Sequence, residues 1–190
     1  MNAVTDSEHS GVGPPPGHYT QRGASLARWL FVPLVILLVS LILILSVFFS
    51  TSVVEGESMV PTLLNGDYVL ITHRQTELMR GDIIEISVPE PEGSVRVVKR
   101  VIGLPGDSVE VRNDVAYVNG VAEPSRGQQV RPEFSVSRPT FVVPKGSIYV
   151  MGDNRAVSLD SRYYGPVPLA GLDGRGVLVF APIGRVRILN

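Results

Sequence analysis

Val95-Arg96-Val97-Val98-Lys99-Arg100-Val101-Ile102 is a β-branched run that sets both the fold and the chemistry. Side chains alternate across a strand, so this run puts Lys99 on the same face as Val95, Val97 and Val101. The chain has only two lysines, Lys99 and Lys145, against fifteen arginines. An ammonium on an apolar face is poorly solvated, and its pKa falls below the free value of about 10.4. A lysine that is neutral near working pH accepts protons. The matching donor is Ser58, in Glu57-Ser58-Met59-Val60-Pro61-Thr62-Leu63, just beyond a long apolar segment. Together these residues suggest a serine–lysine hydrolase held against a membrane.

Outward from this stretch, short β-branched runs alternate with turn signals. They predict strands at Tyr68–Thr72, Ile83–Val88, Val109–Arg112, Val115–Val118, Phe141–Val143, Ile148–Met151, Val177–Phe180 and Val186–Leu189. Gly-Asp pairs at 66–67, 81–82 and 106–107 read as turns, and Asn119-Gly120 as a hairpin turn. Residues 55–190 thus form a mostly β domain. At about 121–140, Pro124, Gly127, Pro132 and Pro139 interrupt any strand, which predicts a small excursion from the core.

Ahead of the β region, Trp29–Val54 contains no charged residue, and Leu30–Phe49 is almost wholly Leu, Ile, Val and Phe. Twenty such residues span roughly 30 Å as a helix, the thickness of a bilayer's hydrocarbon core. A cleaved signal peptide would have an apolar region of only about 7–15 residues. Residues 25–54 are therefore expected to be an uncleaved transmembrane signal anchor. Arg22 and Arg28 precede it, whereas Glu55 and Glu57 follow it, so the N-terminus is expected in the cytoplasm and the β domain outside. Residues 1–24 are polar, with Gly11-Val12-Gly13-Pro14-Pro15-Pro16-Gly17 among them, and are expected to be a flexible cytoplasmic tail.

Beyond residue 54 there are 15 basic and 16 acidic residues, which gives no electrostatic case for a nucleic-acid partner. There is no cysteine, which excludes disulfides, thiolate nucleophiles and sortase-like transpeptidation. His73 is the only histidine beyond the anchor, too few for a histidine metal site, and no cofactor or metal is expected. Neither lysine follows a serine by three positions, which excludes a penicillin-binding arrangement.

Three segments occur together: Ser58-Met59-Val60-Pro61-Thr62-Leu63, Lys99-Arg100-Val101-Ile102-Gly103-Leu104-Pro105-Gly106-Asp107, and Gly152-Asp153-Asn154-Arg155-Ala156-Val157-Ser158-Leu159-Asp160-Ser161-Arg162. With Gly81-Asp82-Ile83-Ile84 and the apolar span, they resemble the boxes of bacterial type I signal peptidases in order and spacing. The resemblance runs from about Trp29 to Gly165. It implies a signal-peptidase-like β-barrel or sheet domain outside the plasma (inner) membrane, preceded by one transmembrane helix. It also implies a serine endopeptidase that removes signal peptides from exported preproteins after small residues at −1 and −3.

By the same resemblance Ser58 is the nucleophile and Lys99 the general base. Ser158 orients the lysine, Asp160 and Arg162 fix its loop, and Asp153 belongs to that supporting group. Met59 and Leu63 are candidate walls for shallow substrate pockets. Where some relatives carry a second serine two positions before the nucleophile, this chain has Gly56, so the oxyanion would rely on the Ser58 N–H. The expected partners are preproteins and the lipid bilayer, with the enzyme a monomer. Two other readings remain open: a maturation peptidase for one exported protein, and a non-catalytic membrane-anchored β domain.

Overall fold

The computed structural model describes residues 22–73, 77–90, 93–124, 130 and 132–189, with side chains from residue 28 onward. Residues 1–21 of the expected tail lie outside the described residues. The chain divides into two units, Met1–Ile42 and Leu43–Asn190.

Helix α1 (Arg22–Phe48) begins within the expected tail and carries Pro33 inside it. Its stretch Arg28–Phe48 has a mean hydropathy of 3.1 and none of it is buried in the protein. Those 21 residues rise about 32 Å, enough to cross a bilayer by length and composition.

The anchor was expected to reach residue 54, but the helix stops at Phe48. Strand β1 (Phe49–Val53) follows at once and pairs antiparallel with β2 (Tyr68–Thr72). The local reason is composition: leucine gives way to Ser50-Thr51-Ser52-Val53, where β-branched and hydroxyl residues favour strand over helix. Val54 then turns into the core and is 4% exposed.

The remaining strands are β3 (Ile83–Glu90), β4 (Gly93–Gly103), β5 (Ser108–Arg112), β6 (Val115–Val118), β7 (Val121–Ala122), β8 (Arg138–Val142), β9 (Ser147–Met151), β10 (Val167–Pro168), β11 (Leu172–Ala181) and β12 (Arg187–Ile188). A short helix α2 (Ser161–Tyr164) lies between β9 and β10. The larger sheet runs β1-β2-β11-β3-β4-β9-β10, with β12 beside β11, and the smaller runs β7-β6-β5-β8. Every strand pair among the described residues is antiparallel, and the domain is mostly β.

Strand β3 is buried on both faces. Ile83 joins a cluster with Val54, Met59, Leu63, Val69, Ile71 and Val179. Ile84 and Ile86 join Val88, Val101, Ile148, Val150 and Val167. Beneath the smaller sheet, Ile102, Val109, Val111, Ala116, Val118, Val143, Tyr149 and Met151 form a third cluster.

The expected excursion at 121–140 is partly sheet: β7 opens it and β8 closes it. Pro139 sits in β8 because that strand pairs only with β5, and an edge strand tolerates a residue without an N–H. Residues 125–129 and 131 lie outside the described residues.

Candidate active site

Between β1 and β2 the chain makes a closed loop. The Val54 N–H donates to Asp67 O at 2.8 Å, and the Gly66 N–H to Val54 O at 2.9 Å. Asp67 accepts the Leu64 N–H at 2.9 Å and is gripped by Arg185 at 2.6 and 2.8 Å. Gly56, whose N–H donates to Asn65 Oδ1 at 2.9 Å, has φ +84°, a conformation that side chains disfavour. That geometry accounts for glycine where some relatives carry serine. Ser58 sits half-buried on this loop, above the core residues Met59 and Leu63.

Lys99 comes from β4, opposite Ile84 of β3. It is only 4% exposed, and its Nζ lies 2.9 Å from Ser58 Oγ. Burial holds the amine below the usual lysine range. Asp160 pulls its pKa back up and Arg162 adds to the lowering, both weaker effects than desolvation. Among the described residues no carboxylate comes within ion-pair distance of Lys99. Among the described residues its hydrogen-bond partner is the serine hydroxyl. The other cationic or basic candidates are elsewhere: Lys145 is exposed, and His73 Nδ1 lies 2.7 Å from Asp173 O.

The segment after β9 closes over this pair. The Asn154 N–H donates to Ser58 O at 2.9 Å. A Cβ on Gly152 would lie 2.5 Å from Ser58 O and 2.3 Å from Ser158 Oγ, so only glycine fits between them. Ser158 is buried beside this contact, but its hydroxyl has no hydrogen-bond partner. The expected bond from Ser158 to Lys99 is not made in this structure.

Asp160 caps α2, accepting the Arg162 N–H at 3.2 Å, and it also accepts the Gly152 N–H at 3.0 Å. Arg162 grips both of its oxygens at 2.9 Å, and both side chains are wholly buried. Arg162 also donates to Ser158 O at 3.1 Å, which fixes the serine's backbone. Asp160 and Arg162 therefore tie the backbone of Gly152, Ser158 and α2 together.

Asp153 braces the serine loop through a partner outside its own segment. It faces Arg100, which donates to it at 2.7 and 2.6 Å, and it accepts the Thr62 hydroxyl. This buried node ties the serine loop to the neighbour of Lys99 in β4. Alternation explains it: Arg100 points away from Lys99's face, and a buried guanidinium requires an anionic partner.

Three acidic or basic residues missed from sequence complete the frame. Arg155 donates to Gly152 O at 2.8 Å and forks onto Glu123 at 2.5 and 2.7 Å. Arg162 reaches Asp114 at 2.5 Å. Glu123 and Asp114 belong to the smaller sheet's connections, so that sheet clamps the loop through two arginines. Nothing local in the sequence marks these pairs, which are separated by 32 and 48 residues.

A cleft of about 280 Å³ opens beside the pair, lined by Ser52, Val53, Val54, Glu55, Ser58 and Met59 on one side and by Arg96, Val97, Val98 and Lys99 on the other, with Glu85 also in its wall. Met59 borders this cleft. Leu63 does not: it is fully buried in the core below, because the turn points it toward Val69 and Ile71. A larger cavity of about 550 Å³ near Leu78, Leu104, Ile148 and Leu172 contains neither Ser58 nor Lys99.

A hydroxyl touching a dehydrated amine beside an open cleft on a β scaffold defines the serine–lysine hydrolase class. Comparison with known proteins narrows this. The family described as signal peptidase, peptidase S26, matches residues 26–181. A signal peptidase I of Bacillus licheniformis is 38% identical over 88% of this chain and 95% of its own length. Signal peptidase I V of Bacillus subtilis is 41% identical over 60% of this chain and 75% of its own. A solved signal peptidase I from Enterococcus faecalis is 36% identical, with a TM-score of 0.44, over 53% of this chain and 97% of its own. The chain belongs to the signal peptidase family of serine peptidases.

Proposed function

We propose that this chain is a membrane-anchored serine endopeptidase that cleaves signal peptides from exported preproteins, with Ser58 as nucleophile and Lys99 as general base. The 2.9 Å contact between Lys99 Nζ and Ser58 Oγ carries this reading. As Oγ attacks the scissile carbonyl carbon, the neutral amine takes its proton, and the carbonyl electrons move onto oxygen. The Ser58 N–H supports that oxyanion, a kind of donor worth about 10²–10³ in rate. The ammonium then gives its proton to the departing amine, leaving an acyl ester on Ser58. Lys99, neutral again, draws a proton from the water that hydrolyses the ester.

Ser158, with its hydroxyl unspent, is assigned to hold the amine during these transfers. Asp153, Asp160 and Arg162 keep the loop in place. The substrate binds extended along β4. Strand β9 pairs with β4 only at Arg100, Val101 and Gly103, so among the described residues the edge from Gly93 to Lys99 is unpaired there and open to an added strand. The apolar helix holds the enzyme in the bilayer of the plasma membrane. Arg22 and Arg28 at the N-terminal end of the helix, against Glu55 and Glu57 beyond it, support an N-terminus in the cytoplasm and a β domain outside. One copy supplies both Ser58 and Lys99, consistent with a monomer.

Purified full-length protein in detergent should cleave a preprotein after a small residue, and Ser58→Ala and Lys99→Ala should each abolish cleavage while remaining folded. Full activity in Lys99→Ala would exclude the mechanism.

A further inference from the structure

Glu85 is a buried carboxylate in the wall of the substrate cleft that the chemistry above does not use. It is 5% exposed. Ser52 donates to its Oε1 at 2.6 Å. Its second oxygen, Oε2, has no hydrogen-bond partner among the described residues, and no arginine or lysine there forms an ion pair with it. The cleft mixes apolar residues (Val53, Val54, Met59, Val97 and Val98) with Ser52, Glu55, Ser58, Arg96 and Lys99. Oε2 is open to solvent in the cleft, and a substrate that covers it without donating to it leaves it unpaired, which is costly. Arg96 also lines the cleft, but it is exposed and forms no ion pair among the described residues.

The position of Glu85 selects which substrate residue it meets. It lies opposite Val98, next to Lys99, and it touches Ser52, six residues before Ser58. Its bond to Ser52 holds Glu85 toward the β1 side of the cleft, and no ion pair joins it to Lys99 among the described residues. We therefore assign Glu85 to the end of the cleft away from the scissile bond. In an extended peptide, alternate side chains enter the same side, about 7 Å apart. With the −1 residue at Ser58, the next inward side chain is −3.

We propose that Glu85 makes the −3 pocket a hydrogen-bond-accepting one, selecting serine or threonine over valine and excluding aspartate and glutamate. A threonine there places its methyl against the valines and its hydroxyl on Oε2. A valine of the same shape leaves that oxygen dehydrated and unpaired, and an acidic side chain sets two carboxylates together in a site with little water. A hydrogen bond to a charged group corresponds to roughly ten- to a hundredfold in kcat/KM.

This inference rests on the proposed peptidase activity, and the test separates the two. Full-length protein in detergent is given peptides spanning a cleavage site with alanine at −1 and alanine, threonine, valine or aspartate at −3. No cleavage of any peptide by the wild type would defeat the peptidase reading itself. With cleavage, threonine should exceed valine about tenfold or more, and aspartate should be the poorest. Glu85→Val should reverse the threonine-to-valine ratio, and Glu85→Gln should keep threonine while admitting aspartate. Ratios taken on one preparation do not depend on the folded fraction. An unchanged threonine-to-valine ratio in Glu85→Val would overturn the proposal. So would an equal loss on all four peptides in both variants, which would make Glu85 a brace for β1 rather than a reader of substrate.

Discussion

Gly152→Ala adds one methyl group where the structure has no room for it. Gly152 does not have a positive φ, so alanine suits its backbone and the whole effect is steric. The new Cβ would stand 2.5 Å from Ser58 O, 2.6 Å from Ser158 Cβ and 2.3 Å from Ser158 Oγ. The serine hydroxyl can rotate, but the Ser58 carbonyl is backbone and is held by the Asn154 N–H at 2.9 Å. Restoring an ordinary contact of 3.4 Å requires the two segments to part by about 0.9 Å. A misplacement of about 1 Å at reacting groups costs about 10²-fold in rate. Overpacking a tight site costs about 1–3 kcal/mol, and alanine returns about 0.4–1 kcal/mol by restricting the unfolded chain. The net destabilisation is thus small, a few degrees in melting temperature for a domain of this size. The expected result is kcat/KM down about a hundredfold in a protein that melts within several degrees of wild type. Activity within threefold of wild type would show that the loop does not set the position of Ser58, and the packing argument would fail.

The proposed base gives a pH signature. Because burial lowers the Lys99 pKa, cleavage should rise with pH through that lowered value and level off before the ordinary lysine range, as read from kcat/KM profiles. Between the lowered value and about 10.5 the unfolded lysine carries a proton that the folded one does not, so wild-type stability rises with pH across that window. Lys99→Met should therefore be inactive yet more stable at neutral pH, an advantage that fades as pH approaches about 10.5 in denaturant titrations. Ser158→Ala removes a buried hydroxyl without a partner and should leave stability equal or raised by about 1 kcal/mol while slowing cleavage, whereas equal activity would deny it any role toward the amine. Glu123→Gln strips the counter-ion from Arg155, both nearly fully buried, and should cost about 3–5 kcal/mol by chemical denaturation, far more than an exposed pair such as Arg112–Glu110.

Lys99 and Ser58 were legible in the sequence because each depends on short-range pattern, alternation in one strand and a turn after an apolar segment, whereas Asp160 and Arg162 came only from the resemblance of the Gly152–Arg162 segment to a signal peptidase box. Most strands were legible from short-range pattern as well. Leu63 was misread because a turn's direction decides which of two nearby apolar side chains faces the cleft, and spacing alone does not give it. The partner of Asp153 was missed because Arg100 is 53 residues away and reaches it only after β4 and the loop fold together. Strand β1 was absorbed into the anchor because Phe49–Val53 carries no charge, and apolarity does not distinguish a membrane helix from a sheet edge. Glu123 and Asp114 gave no signal at all, since nothing local marks an acid whose partner comes from another sheet.

The distribution of buried charge explains why a lysine, rather than any of the fifteen arginines, occupies the centre. Arg100, Arg155 and Arg162 are buried, and each has a carboxylate: Asp153, Glu123, and Asp160 with Asp114. A guanidinium cannot lose its proton in a protein, so burial demands a permanent partner, and those pairs make rigid struts around the loop. Lys99 is buried to a similar degree and receives only a hydroxyl. An amine can answer that environment by giving up its charge, which is the property the proposed reaction uses. Supplying a nearby carboxylate would turn Lys99 into one more strut. Among the described residues each of these buried arginines thus has an acid, while the amine that the proposed reaction protonates and deprotonates has no counter-ion within ion-pair distance.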